Sequence, residues 1–108
     1  MEKEMSPQQR HALTQVNGYQ QQIQILISQR QQMELQLREI DLSYEELKKE
    51  SATEVYKAIG PALIKKDKKN VLDDLKEARD KVELRIKTIK SQEKRLSSKI
   101  KELSSKLR

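Results

Sequence analysis

The chain has 108 residues, of which 37% are charged and 34% hydrophobic, and three Tyr are its only aromatic residues. A charged share well above the roughly 25% of ordinary globular domains excludes a thick core and favours long helices in a single domain. The absence of Cys excludes disulfide frameworks and Cys-based metal sites. No apolar run approaches the ~18 to 20 residues that span a bilayer, and no signal peptide opens the chain, so we expect a soluble intracellular protein.

The net charge of +6 is concentrated at the C-terminal end of the chain. Residues 85–108 contain nine Lys and Arg against two Glu, a net charge of +7, whereas residues 1–50 contain six basic and eight acidic residues. Such a basic segment predicts an acidic partner surface, or simply keeps the chain soluble.

A first helix is predicted from about residue 7 to residue 50. Ser6-Pro7-Gln8-Gln9 has the pattern of a capping box with proline at the first helical position. Alternating steps of four and three from Ala12 define a seam in which ten of eleven positions are apolar or aromatic. These positions are Ala12, Val16, Tyr19, Ile23, Leu26, Arg30, Met33, Leu37, Ile40, Tyr44 and Leu47. A heptad seam sustained over five repeats predicts a coiled coil.

A second helix is predicted over about residues 68–107, with Asp67 as its N-cap. Nine of the eleven positions in its seam are apolar. They are Leu72, Leu75, Arg79, Val82, Ile86, Ile89, Glu93, Leu96, Ile100, Leu103 and Leu107. Two seams of equal length, joined by a connector of about 20 residues, predict a long antiparallel two-helix coiled coil.

Arg30 and Glu93 interrupt the two seams at neighbouring layers. In the antiparallel register Arg30 lies opposite Ile89, and Glu93 lies one layer away. Their long side chains can meet across the seam and fix the register of the two helices. The alternative is that Arg30 reaches solvent on its own.

The connector predicts a β-hairpin over about residues 53–66. Two short runs with β-branched and aromatic content lie on either side of Gly60-Pro61. A lone two-stranded hairpin is marginal in water, and its unpaired edges invite pairing with another chain. We therefore expect it to assemble subunits through its open strand edges and its apolar residues Val55, Ile59, Leu63 and Ile64. The alternative is a disordered linker.

Two stretches of the sequence resemble a known family. The connector reads Val55-Tyr56-Lys57, then Gly60, then Leu63-Ile64, and the first helix contains Tyr19-Gln20-Gln21-Gln22 among eleven Gln between Gln8 and Gln36. Within the order helix, hairpin, helix, this pattern resembles the prefoldin family over nearly the whole chain. The single hairpin is similar to that of the β-class subunits, because the α class is expected to carry two.

The resemblance implies an ATP-independent, cytoplasmic co-chaperone with no catalytic residues, no metal and no other cofactor. Prefoldins are hexamers of two α-class and four β-class chains, in which the hairpins form a β-barrel body. Their coiled coils hold unfolded polypeptide at the free ends and deliver it to a group II chaperonin. The residues expected to assemble the barrel are Val55, Tyr56, Ile59, Leu63 and Ile64.

Client binding is expected at the end of the coiled coil that carries both chain termini, because helix ends fray. We call the apolar residues there the tip cluster: Ala12, Leu13, Val16, Tyr19, Ile100, Leu103 and Leu107. Four Ser near the end of the second helix are mediocre helix formers, which makes this end easier to open. The residues alone favour an ordinary closed seam, whereas the resemblance favours client binding.

The basic second helix offers a contact for an acidic chaperonin surface. The expected residues are Lys94, Lys99, Lys101 and Lys106, whose attraction would be sensitive to salt. The alternative is a solvated face that keeps the protein soluble. Outside the seam, Ile25, Leu35 and Leu42 are interpreted as scattered surface residues, with a client surface as the alternative.

Three other classes of function are less consistent with the sequence. An enzyme is excluded because Gly18 and Gly60 are the only Gly and His11 is the only His, so no phosphate-binding loop or His–carboxylate constellation exists. A basic nucleic-acid-binding coiled coil and a scaffold without client activity remain as rivals. The basic residues are spread around the helix without interleaved aromatics, so we expect neither nucleic acid nor membrane as a partner.

Overall fold

The computed structural model describes residues 4–107, so the outermost residues of the predicted domain 1–108 lie outside the described residues. The elements are α1 (Pro7–Lys49), β1 (Glu54–Ile59), β2 (Ala62–Asp67) and α2 (Lys68–Ser105). The predicted fold class, two long helices joined by a short antiparallel hairpin, is confirmed. That the chain acts as one domain stays a prediction.

The N-terminus of α1 is closed by the predicted capping box. The backbone N–H of Ser6 donates to Gln9 Oε1 at 2.9 Å, and the N–H of Gln9 donates to Ser6 Oγ at 3.1 Å. Two N–H groups that the helix itself leaves without partners are therefore satisfied. This local sequence pattern fixes the point at which α1 begins.

The chain divides into two units, each of which contains a segment of both helices. Unit 1 comprises Met1–Gln32 and Ile86–Arg108, and unit 2 comprises Met33–Arg85, including the hairpin. The residues that are buried in the described part of the chain are all seam positions: Ala12, Val16, Val82, Ile86 and Ile89. Among described seam residues only Arg79 is exposed. The heptad pattern therefore predicted the covered face of both helices.

In unit 2, Gly60-Pro61 forms the two-residue turn of the hairpin, with Ile59 opposite Ala62. Gly60 has a φ of 56°, in the left-handed region that glycine adopts at the first position of such turns. The start of α2 is held by Lys68, whose backbone N–H donates to the carbonyl of Thr53 at 2.8 Å. Its ammonium group also donates to the carbonyls of Lys48, at 3.3 Å, and Glu50. These bonds tie the end of α1 to the beginning of α2.

Asp67, the predicted N-cap of α2, makes no capping hydrogen bond within residues 4–107. It is the last residue of β2 and lies opposite Glu54. Its backbone is held by the sheet, and the first amide of α2 finds its partner in the carbonyl of Thr53 instead. The helix start therefore depends on the hairpin and not on a local cap.

Candidate functional site

The tip cluster lies in unit 1, where most of its side chains are part of a closed seam. Ala12 and Val16 are buried, and Leu13 is 38% exposed. The other four members are half-buried: Tyr19, Ile100, Leu103 and Leu107. The structure therefore brings the predicted apolar residues together, but it covers most of their surface within the chain itself.

The C-terminal end of the tip cluster is held by short-range hydrogen bonds. Helix α2 ends at Ser105. Beyond it, the N–H groups of Lys106 and Leu107 donate three residues back, to the carbonyls of Leu103 and Ser104, each at 3.1 Å. The hydroxyl of Ser105 donates to the carbonyl of Glu102 at 2.6 Å. Such terminal turns open at low free energy, because few neighbours depend on them.

The four predicted chaperonin-contact residues are all exposed in unit 1, on α2 or in the turn that follows it: Lys94, Lys99, Lys101 and Lys106. Lys94 and Lys101 are seven residues apart and so lie about 10 Å apart along α2. Lys99 packs over Tyr19, with its ammonium nitrogen 5.5 Å from the ring centroid. This cation–π distance lies within the ≈ 6 Å limit for a favourable contact. A member of the tip cluster therefore contacts the basic segment directly.

Arg30 and Glu93 form a two-point ion pair in unit 1, which settles the alternatives left open by the sequence. Arg30 Nε lies 2.7 Å from Glu93 Oε2, and Arg30 Nη2 donates to Glu93 Oε1 at 3.1 Å. The two side chains are only 23% and 16% exposed. A pair that is bidentate and largely shielded from water specifies geometry as well as adding energy.

A second ion pair, in unit 2, was missed by the sequence reasoning. Arg79 Nε lies 2.6 Å from Asp41 Oδ1. In the sequence, Arg79 is one of the two polar positions in the second seam, and no partner is predicted for it. The signal was available, because the predicted register places Arg79 opposite Ile40, the neighbour of Asp41.

The hairpin presents apolar residues on both of its faces. Directly paired residues share a face, and the register pairs Ile59 with Ala62 and Ala58 with Leu63. Successive side chains alternate between faces, so Leu63 lies with Tyr56 on the face opposite Ile59 and Ile64. The apolar residues expected to assemble subunits are therefore divided between two faces, with Leu63 on one and Ile59 and Ile64 on the other.

The hairpin also has two unpaired edges, because its sheet contains only β1 and β2. Val55 is half-buried, whereas the exposed fractions of Tyr56, Ile59, Leu63 and Ile64 range from 41% for Ile64 to 71% for Leu63. Exposed apolar side chains beside open strand edges are typical of a surface that another chain covers.

Residues 4–107 lack two further kinds of functional feature. No group of three or more His, Asp or Glu in this part of the chain is placed to hold a metal ion. No helix in it combines the length and the apolar character that crossing a membrane requires.

Comparison with known proteins places these features in a family. Residues 10–108 match the family model described as prefoldin subunit. The prefoldin subunit beta of Thermococcus onnurineus is 40% identical over 92 residues, which cover 84% of this chain and 79% of that protein. The corresponding subunit of Archaeoglobus fulgidus is 42% identical over 94 residues, with coverages of 86% and 81%.

The structure leads to the same family. The crystal structure of the prefoldin beta subunit from Thermococcus strain KS-1 matches with a TM-score of 0.92 and 32% identity. The match covers 98% of this chain and 94% of that one. The chain therefore belongs to the prefoldin family, as a subunit of the β class.

Proposed function

We propose that this chain captures unfolded polypeptide with its tip cluster and delivers it, without ATP or a cofactor, to a group II chaperonin. Prefoldin β subunits are components of a co-chaperone and not enzymes. The observation that carries the proposal is the composition of unit 1. In this unit, apolar side chains near the start of α1 and the end of α2 lie next to a strongly basic segment of α2.

Client capture requires the closed seam at the tip to open. The short-range bonds after Ser105 make this turn the easiest part of α2 to displace, which exposes Leu103 and Leu107. Full burial of each aliphatic side chain against a client is worth roughly 1.5 to 3 kcal/mol, so partial burial already gives useful binding. Several tips acting together then raise the effective concentration of binding sites.

Assembly is proposed to occur through the hairpin. Its exposed apolar residues and two open edges can pair with the hairpins of other subunits. In the proposed assembly, two α-class and four β-class chains form a hexamer around a β-barrel. Both faces of the hairpin need a partner in this arrangement, because Leu63 and Ile64 lie on opposite faces.

Delivery is proposed to use the exposed lysines of α2. An acidic surface on the chaperonin is attracted by Lys94, Lys99, Lys101 and Lys106, and the attraction weakens as salt screens it. A chaperonin of this group places the proposed function in the cytoplasm. The alternative role of these lysines, a solvated face that maintains solubility, predicts no effect of their removal on the rate of encounter with chaperonin.

The test is the aggregation of a denatured client in the presence of the complex assembled with an α-class subunit. Removal of the residues after Leu96 is expected to abolish protection and to leave the hexamer intact. A milder variant, Leu103→Ser with Leu107→Ser, is expected to weaken protection. Its matched control is Leu35→Ser with Leu42→Ser, which removes two exposed aliphatic side chains outside the tip cluster.

Three outcomes contradict the proposal. A wild-type complex that does not slow aggregation supports the scaffold reading. Protection that persists after truncation, or an equal loss in the control variant, shows that the tip cluster is not the client-binding surface. Loss of the hexamer on truncation assigns these residues to assembly.

A further inference from the structure

A groove in unit 1 contains residues that neither the tip cluster nor the hairpin explains. It has a volume of about 390 Å³ and is formed by one segment of each helix. Its apolar lining consists of Ile25 and Leu26 from α1 and Leu96 from α2. Leu26 and Leu96 are half-buried seam residues, whereas Ile25 is 59% exposed. Seam and surface apolar atoms therefore meet at an opening that a ligand can reach.

The charged lining of this groove is entirely basic. Arg95 and Lys99 are its charged residues, and the rest of the polar lining consists of Gln side chains. Both cations are exposed, and neither takes part in an ion pair within residues 4–107. On the facing helix, residues 11–29 contain no Asp, Glu, Lys or Arg. No carboxylate of α1 near the groove therefore offsets the positive charge.

The groove is also continuous with the tip cluster. Lys99 lines the groove and packs over the ring of Tyr19, which belongs to the tip cluster. A polypeptide held at the tip can therefore extend along the same side of unit 1 into the groove. The Gln side chains offer both donors and acceptors to the backbone of such an extended segment.

We propose that this groove is a second client-binding surface, specific for an aliphatic or aromatic side chain flanked by acidic residues in an unfolded polypeptide. The inference rests on the proposed function, and it specifies which segments of an unfolded client this protein prefers to bind. The apolar side chain packs against Ile25, Leu26 and Leu96, while its acidic neighbours pair with Arg95 and Lys99. The volume lies within the ≈ 300–1,000 Å³ range of small-ligand sites, so it accommodates one large side chain and its adjoining backbone.

The experiment measures the binding of fluorescent peptides to the assembled complex at low salt by fluorescence anisotropy. The probe is a Gly-Ser peptide with a central Leu flanked by Glu. Two matched peptides replace the Glu with Lys or the Leu with Ala. The protein variants are Arg95→Gln and Ile25→Ser, with Arg85→Gln and Leu35→Ser as controls. Leu35 is 55% exposed and so is matched to Ile25, and Arg85 is an exposed arginine of α2 outside the groove.

The acidic Leu peptide is expected to bind more tightly than either matched peptide. Because an exposed ion pair contributes about 0.2–1 kcal/mol, Arg95→Gln is expected to weaken this binding by about 1.4- to five-fold. It should not weaken binding of the Lys peptide and should slightly strengthen it, because the variant removes a repulsion between like charges. Ile25→Ser is expected to weaken binding of both Leu peptides by about three- to ten-fold, in proportion to the apolar area that it removes. Both controls are expected to bind as wild type does.

The inference is overturned if the wild-type complex binds none of the peptides or does not distinguish them, or if the controls lose as much affinity as the groove variants. The aggregation assay on the same preparations separates this failure from failure of the proposed function. A complex that protects the client, but whose groove variants bind peptides normally, refutes the groove alone. A complex that gives no protection refutes the proposed function.

Discussion

The ion pair between Arg30 and Glu93 gives the sharpest prediction about stability. Its two contacts measure 2.7 and 3.1 Å, and its side chains are 23% and 16% exposed. Breaking a fully buried pair costs about 3–5 kcal/mol, whereas exposed pairs contribute about 0.2–1 kcal/mol. This pair lies between these limits, so we expect Arg30→Met alone to lower the free energy of unfolding by about 2–3 kcal/mol. The reason is that Glu93 stays largely shielded from water after losing both hydrogen bonds.

The double variant, Arg30→Met with Glu93→Leu, tests whether stability depends on the ion pair itself or only on well-packed side chains at these two seam positions. Apolar residues suit these seam positions, so we expect the double variant to unfold within about 1 kcal/mol of wild type. The coupling energy of the double-mutant cycle is then at least about 1 kcal/mol, and any cost of Glu93→Leu alone adds to it. Urea denaturation followed by far-ultraviolet circular dichroism measures all four proteins. The protein concentration must be the same throughout, because the stability of an oligomer depends on it.

The exposed pair of Glu77 and Lys81 provides the control for this cycle. Its atoms lie 3.4 Å apart and its side chains are 68% and 74% exposed, so we expect a coupling below about 0.5 kcal/mol. The reasoning is refuted if the cycle of Arg30 and Glu93 gives an equally small coupling, or if the double variant is as unstable as Arg30→Met.

Three further predictions concern the hairpin and the seam. Ile59→Asp and Leu63→Asp, on opposite faces, should each dissociate the assembly in light scattering; an intact complex in either case would show that this face is not an interface. Ile89→Ala, at a buried seam position, should lower the free energy of unfolding in urea by about 2–4 kcal/mol. Leu84→Ala, at an exposed position, should change the free energy of unfolding by less than about 0.5 kcal/mol. An equal loss of stability in the Ile89 and Leu84 variants would contradict the assignment of Ile89 to the buried seam. Gly60→Ala should destabilise the turn by about 1–2 kcal/mol, because an Ala residue tolerates a φ of 56° poorly. Hydrogen exchange in the variant hairpin that is as slow as in wild type would contradict this prediction.

The sequence by itself determined the covered faces, the start of α1 and the position of the turn. Each depends on local spacing or on one residue's conformational preference: heptad steps place side chains on one stripe, Ser6 and Gln9 cap a helix, and Gly60 accepts a positive φ. The residues of the tip cluster were also predictable, because they follow from the seam and from the position of the helix ends. Whether they bind a client stays a prediction.

Tertiary structure alone decided which side chains meet. The sequence leaves two interpretations of Arg30 open and predicts no partner for Arg79. An ion pair forms only where the helix register and the side-chain rotamers place the charged atoms to within about an ångström. Strand register placed Leu63 on the face opposite Ile59, since a shift of one residue exchanges the faces. Ile25 looked like an isolated surface residue, and only the position of Arg95 and Leu96 on the facing helix made it part of a groove. Local patterns are repeated along one element, whereas these contacts join residues that are distant in sequence, and no periodicity encodes them.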